Sequence, residues 1–117
     1  MNFKTRELSD LNIDLYVART NDLPTRIVDE TVQVFREETW IPFQPSRNWG
    51  DGGPIIEGLS INLVSGYFWT DPWTATLTAT PQRMAEEDLP RAQADTPLRA
   101  AMRAYLVWWY GEEVPNV

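Results

Sequence analysis

Along the first twenty residues the apolar positions follow a helical period; in the middle of the chain they alternate, and near the end the helical period returns. In "ELSDLNIDLYVA" Ile13 and Val17 fall on one side of a helical projection, with Leu11, Leu15 and Ala18 on another. The period therefore predicts a helix without choosing a single buried stripe. Ser9 fits its N-cap, Asp10 adds favourable charge to the first turn, and Leu8 is placed to staple onto Ile13. Asn21, Asp22 and Pro24 end it. "TRIVDETVQVFRE" has two β-branched runs around Asp29–Glu30 and predicts a hairpin. "TWIPFQPSRN" carries two prolines and reads as an extended or looping connector.

"LSINLV" predicts a strand, and "WTATLTAT" (residues 73–80) predicts the clearest one. There Trp73, Ala75, Leu77 and Ala79 alternate with four threonines, which suits an antiparallel sheet with one wet face. "SGYFWTDP" supplies turn residues between these two strands. "TPQRMAEEDLPRAQAD" reads as a polar, proline-bounded excursion with at most a turn of helix. "TPLRAAMRAYLVWWYG" predicts the firmest helix, with Thr96 as cap, Pro97 at N1 and Gly111 at the stop. Leu98, Ala101, Met102, Tyr105, Leu106 and Trp109 form its core stripe, Trp108 flanks that stripe, and Val107 points to the far side. These elements predict an α+β fold: a small antiparallel sheet, about three to five strands, packed against N- and C-terminal helices. With no linker or repeat, residues 1–117 are expected to form a single domain.

Composition removes more chemistry than it adds. The 117 residues include no cysteine and no histidine, which excludes disulfides, thiolate nucleophiles, Cys/His zinc sites and serine–histidine catalysis. The longest apolar run, Ala104–Tyr110, is far shorter than the ~20 residues of a membrane span. The N-terminus does not run basic then apolar, so a cytoplasmic protein is expected. A net charge of −7 disfavours direct binding of nucleic acid, and the ten basic residues are scattered singly. The acids cluster at Asp29–Glu30, Glu37–Glu38, Glu86–Glu87–Asp88 and Glu112–Glu113, a pattern expected of solvated turns and helix ends.

"NWGDGGPIIEG" holds four of the chain's six glycines and raises the question of a phosphate loop. The residues after Gly53 answer it: Pro54 offers no N–H, Glu57 and Asp51 carry the wrong sign, and no Gly-Lys-Ser/Thr follows. The expectation is structural, with Asn48 capping a short helix or turn, glycines passing close to a tryptophan, and Ile55–Ile56 entering the core. Asp51, Glu57 and Asp71 could hold a divalent ion or share acid–base work, but their spacing does not require it. No cofactor and no metal are expected. The aromatic residues near Asp71–Pro72, together with Trp49, form the candidate contact surface: Trp49, Asp51, Phe68, Trp69, Asp71 and Trp73.

"ELSD" opening the first helix, "NWGDGGPIIE" in the centre and "DTPLRAAMRAYL" in the last helix together resemble the phage NinX-like family. These are small proteins of lambdoid phages and prophages with an undefined biochemical role. The resemblance implies a setting in the host cytoplasm and supplies no catalytic residues. The expected function is a non-enzymatic accessory protein that contacts a host or phage protein. Two other classes stay open: an acidic DNA mimic that blocks a host DNA-binding protein, and a metal-dependent hydrolase using Asp51, Glu57 or Asp71. The oligomeric state also stays open, since Val107 and Trp108 could form a seam or flank the core.

Overall fold

The computed structural model describes residues 3–66, 72–78 and 88–115. The chain begins with β1 (Phe3–Lys4), a 3-10 turn (Thr5–Glu7) and α1 (Asp10–Thr20). A meander follows: β2 (Thr25–Val28), β3 (Thr31–Arg36) and β4 (Thr39–Pro42). Then come α2 (Trp49–Gly58), β5 (Ile61–Ser65), β6 (Trp73–Leu77), β7 (Arg91–Ala94), α3 (Pro97–Tyr110) and β8 (Glu113–Val114). The class is α+β, with helices in the N- and C-terminal regions as the sequence predicts. The sheet, however, is divided into three antiparallel pieces: β1-β8, β2-β3-β4 and β5-β6-β7.

The predicted caps are in place. The Ser9 hydroxyl accepts from the Asn12 amide at 3.4 Å, and Thr96 Oγ1 accepts from the Arg99 amide at 3.2 Å. Gly111 leaves α3 at φ 91, a conformation that favours glycine. Both turns of the β2-β3-β4 meander consist of two acids in the left-handed region. Asp29 and Glu30 have φ 50 and 61; Glu37 and Glu38 have φ 50 and 66. Positive φ at both central residues is the geometry of a type I′ hairpin, whose twist matches that of the strands it joins. The second hairpin turns part of the expected connector into strand, since Thr39–Pro42 pairs with β3 as Arg36↔Thr39 through Gln33↔Pro42. Pro42 is tolerated because it ends an edge strand, where its missing N–H breaks no ladder.

The polar excursion is likewise corrected at its end. Arg91–Ala94 pairs with β6, turning Ala92 and Ala94 inward and Gln93 outward. Alanine and arginine give no strand propensity to read; the neighbouring strand and α3 decide the conformation. Ala75 and Leu77 of β6 are buried as the alternation predicts, and Trp73 is partly buried. Ala79 and Thr80 lie outside the described residues.

The core centres on α3, which packs against β5, β6 and β7, against α1 and α2, and against the 3-10 turn. Cover on several sides explains two departures from the expected stripe. Ala100, Ala104 and Val107 are buried along with Leu98, Ala101, Met102, Tyr105 and Leu106. Trp109, expected in the core, is half exposed in the last turn. Its ring leans on Tyr105 and Trp108, and Trp108 instead packs partly into the core. The ends of the described chain are tied together. Thr5 donates from its amide to Glu112 O and from its hydroxyl to Gly111 O, and the Tyr16 hydroxyl donates to Pro115 O. No helix among the described residues is long and apolar enough to cross a membrane.

Candidate functional site

Residues 43–48 turn the chain from β4 into α2, and two carboxylates hold the turn. The Arg47 and Asn48 amides donate to Gln44 O at 3.0 and 2.7 Å, closing the turn on itself. Asp14 of α1 accepts from the Ser46 amide at 2.9 Å, and Asp51 of α2 accepts from the Gln44 amide at 2.9 Å. Asp14 is only 1% exposed. Burial pushes its carboxyl up to about 6, against the downward pull of the Ser46 amide, the nearby Ser46 hydroxyl and Arg47. Asp51 is therefore a brace between α2 and the turn.

The glycine-rich stretch is helical rather than a loop. Asn48 caps it, its side chain accepting from the Gly50 amide at 2.7 Å. Gly52 is buried where α2 meets α3, and a Cβ there would stand 2.6 Å from Pro45 O and 2.7 Å from Leu98 Cδ2. The close neighbours are thus a carbonyl and a leucine, and not the tryptophan expected from the sequence. Ile55 and Ile56 are partly buried against the core.

This packing sets the first turns of α2 and α3 side by side around a cleft of about 240 Å³ lined by Ser46, Arg47, Trp49, Thr96, Pro97, Leu98 and Arg99. Trp49 stands at its edge with 54% of its surface exposed. The cleft lining contains two arginines and no acid, in a chain of net charge −7. Arg99 is held by Asp10 of α1, its Nε and Nη2 donating to the two carboxylate oxygens, and by Asp95, which accepts from Nη1; that hydrogen bond holds the exposed Asp95 carboxyl below its ordinary range. Arg47 takes part in none of the ion pairs among the described residues. A larger depression of about 770 Å³, lined by Lys4, Arg6, Glu7, Tyr110, Glu112 and Glu113, is open and mixed in sign, and Arg6 is already bridged to Glu112.

Of the residues singled out by sequence, Trp49 and Asp51 share the first turn of α2, with Trp49 facing solvent and Asp51 engaged with Gln44. Trp73 begins β6 in the β5-β6-β7 sheet, paired with Ser65 and Ala94. Phe68, Trp69 and Asp71 lie outside the described residues. Among the described residues no group of three or more His, Cys, Asp or Glu side chains is placed to hold a metal ion. Sequence reading missed Ser46, Arg47 and Arg99 as cleft residues. The Asn48 and Thr96 caps are legible separately, but only the Gly52–Leu98 contact places the two helix starts together. A second surface group pairs Trp40, an aromatic of the expected connector, with Phe35: the two rings lie 5.4 Å apart on the outer face of the meander, with the Arg26 guanidinium 4.4 Å over Trp40.

Fold and cleft define a small acidic α+β protein with a concave site between two helix starts. Residues 4–108 match the family model described as Bacteriophage P22, NinX. The chain belongs to this family of phage proteins, whose biochemical function is undefined. No curated protein matches the chain.

Proposed function

We propose that this protein is a non-enzymatic phage or prophage accessory module that binds another protein through the cleft between α2 and α3. The observation that carries this reading is Trp49. A large ring left half in water at the mouth of a cleft is an unfavourable way to finish a monomer surface, and tryptophan is the residue most enriched among binding hot spots. The site is also preorganised, because Asp14 and Asp51 fix the turn beneath it from two helices. Among the described acids, Asp29, Glu30, Glu37 and Glu38 occupy hairpin turns and Asp10, Asp95 and Glu112 pair with Arg99 or Arg6, which weighs against a DNA-mimic reading. Asp51, a candidate for the hydrolase reading, spends its carboxylate on Gln44.

The test is affinity capture from prophage-carrying cells with the wild-type chain and with Trp49→Ala. A partner held by the wild type and lost by Trp49→Ala at unchanged melting temperature is the expected result. Capture that survives Trp49→Ala would remove the cleft from the proposal.

A further inference from the structure

The two three-stranded sheets end in β2, β4, β5 and β7, and an edge strand presents backbone groups that no neighbouring strand takes up. Three of these edges are guarded. In β7 the ladder to β6 runs through Ala92 and Ala94, so Arg91 and Gln93 face outward. Arg6 Nε donates to Arg91 O at 3.1 Å, and Arg103 Nη1 to Gln93 O at 3.0 Å. In β4 the outward positions are Trp40 and Pro42, and Pro42 has no N–H to offer. β2 carries Arg26 and runs into Asp29–Glu30, charges that any strand laid alongside must face. Among the described residues β5 has no such guard. The Gly66 amide donates to Pro72 O at 2.6 Å, a register in which Asn62 and Val64 bond to β6 while Ile61, Leu63 and Ser65 turn their amides and carbonyls outward. No hydrogen bond among the described residues takes up those outward groups. Ile61 is buried, but Leu63 is only partly so and Ser65 is exposed. Between them Val64 stands on the wet face with 59% of its surface exposed, the most of any large hydrophobic residue described. Residues 58–70 carry no charge, the longest such stretch in a chain of net −7.

We infer that the bare edge of β5 pairs with β5 of a second copy of this chain, antiparallel about a two-fold axis at Val64, joining the two β5-β6-β7 sheets into one. In that register Leu63 and Ser65 exchange backbone hydrogen bonds with the partner's Ser65 and Leu63. Val64 lies directly opposite the partner's Val64, in the kind of cross-strand pair whose side chains come closest. Charge favours a second copy as the occupant. Two-fold pairing sets each strand residue beside one from an identical strand, so a charge in β5 would meet its like, and β5 has none. A charged strand from another protein finds no opposite charge in β5 to pair with. The rest of a surface of net −7 keeps copies apart, which leaves this uncharged strip as the place where they can approach. None of Leu63, Val64 and Ser65 lines the α2–α3 cleft, so self-pairing and partner binding are separable. The pairing is short, and association is expected to be weak and concentration-dependent.

The experiment follows the full chain from micromolar to millimolar concentration by sedimentation equilibrium and by amide hydrogen exchange. The mass is expected to rise from one chain toward two. The Leu63 and Ser65 amides gain protection in step, while those of Asn62 and Val64 are protected throughout by β6. Val64→Lys, which sets two lysines face to face, is expected to weaken association at least about tenfold, and Val64→Thr to retain it. An unchanged melting temperature separates lost pairing from lost folding, and the exchange pattern of the wild type decides the matter even if Val64→Lys is unstable. Trp49→Ala is expected to associate as the wild type does. A chain that stays monomeric at millimolar concentration, a dimer that leaves Leu63 and Ser65 exchanging freely, or full association of Val64→Lys would each overturn the pairing. Loss of association in Trp49→Ala would overturn it by moving the contact to the cleft. A monomer whose two amides become protected only in a complex captured through Trp49 would overturn it by giving the edge to a foreign strand. Failure of that capture, with the dimer intact, would remove the protein-binding reading and leave the pairing standing.

Discussion

Asp14 is a residue whose charge the fold resists. Its carboxyl rises from the ordinary 3.8 to about 6 because burial outweighs the help of the Ser46 amide. The folded state therefore holds the proton more tightly than the unfolded chain. Its contribution to stability is most favourable below about pH 4, declines between about pH 4 and 6, and is a full penalty above that, up to about 3 kcal/mol. Asparagine retains an acceptor for the Ser46 amide without the charge. Asp14→Asn is expected to equal or exceed the wild type in urea midpoint at neutral pH. Its advantage should shrink as the pH is lowered through about 6 toward 4, and an advantage independent of pH would contradict the assignment.

Among the elements, α2 is the one whose making depends most on a single side chain being absent. A methyl group on Gly52 would meet the Pro45 carbonyl and Leu98, so α2 could not keep its distance from α3. Gly52→Ala is expected to cost about 1–3 kcal/mol by overpacking despite alanine's better helix propensity, while Gly53→Ala, which meets nothing, should be neutral or stabilising. Denaturant melts of the two variants separate these outcomes. Helices α1 and α3 and the β2–β3 hairpin were legible because cap, period and turn agree locally. Strands β4 and β7 were not, since Pro42 and the alanines of Arg91–Ala94 obtain their conformation from partners across the sheet. The cleft was half legible: Trp49 stood out by type, whereas Ser46 and Arg99 become neighbours only through tertiary packing.

At the scale of the molecule, charge is distributed by position. The paired acids at Asp29–Glu30 and Glu37–Glu38 cap the turns of the meander, Asp10 and Asp95 are spent on Arg99, and the cleft between α2 and α3 is lined by arginine without acid. The two acidic turns carry a consequence of their own. Glutamate in the left-handed region sits about 1 kcal/mol above glycine, and a type I′ turn prefers glycine at its second position. Glu30→Gly and Glu38→Gly are accordingly expected to raise stability together by about 2 kcal/mol, seen as a higher urea midpoint, and a lowered midpoint would refute the turn geometry. Neither substitution touches the core or the cleft. The hairpins thus hold an untapped reserve of robustness, from which a hardened background could be made so that damaging changes elsewhere are judged on recognition and not on whether the chain survives them.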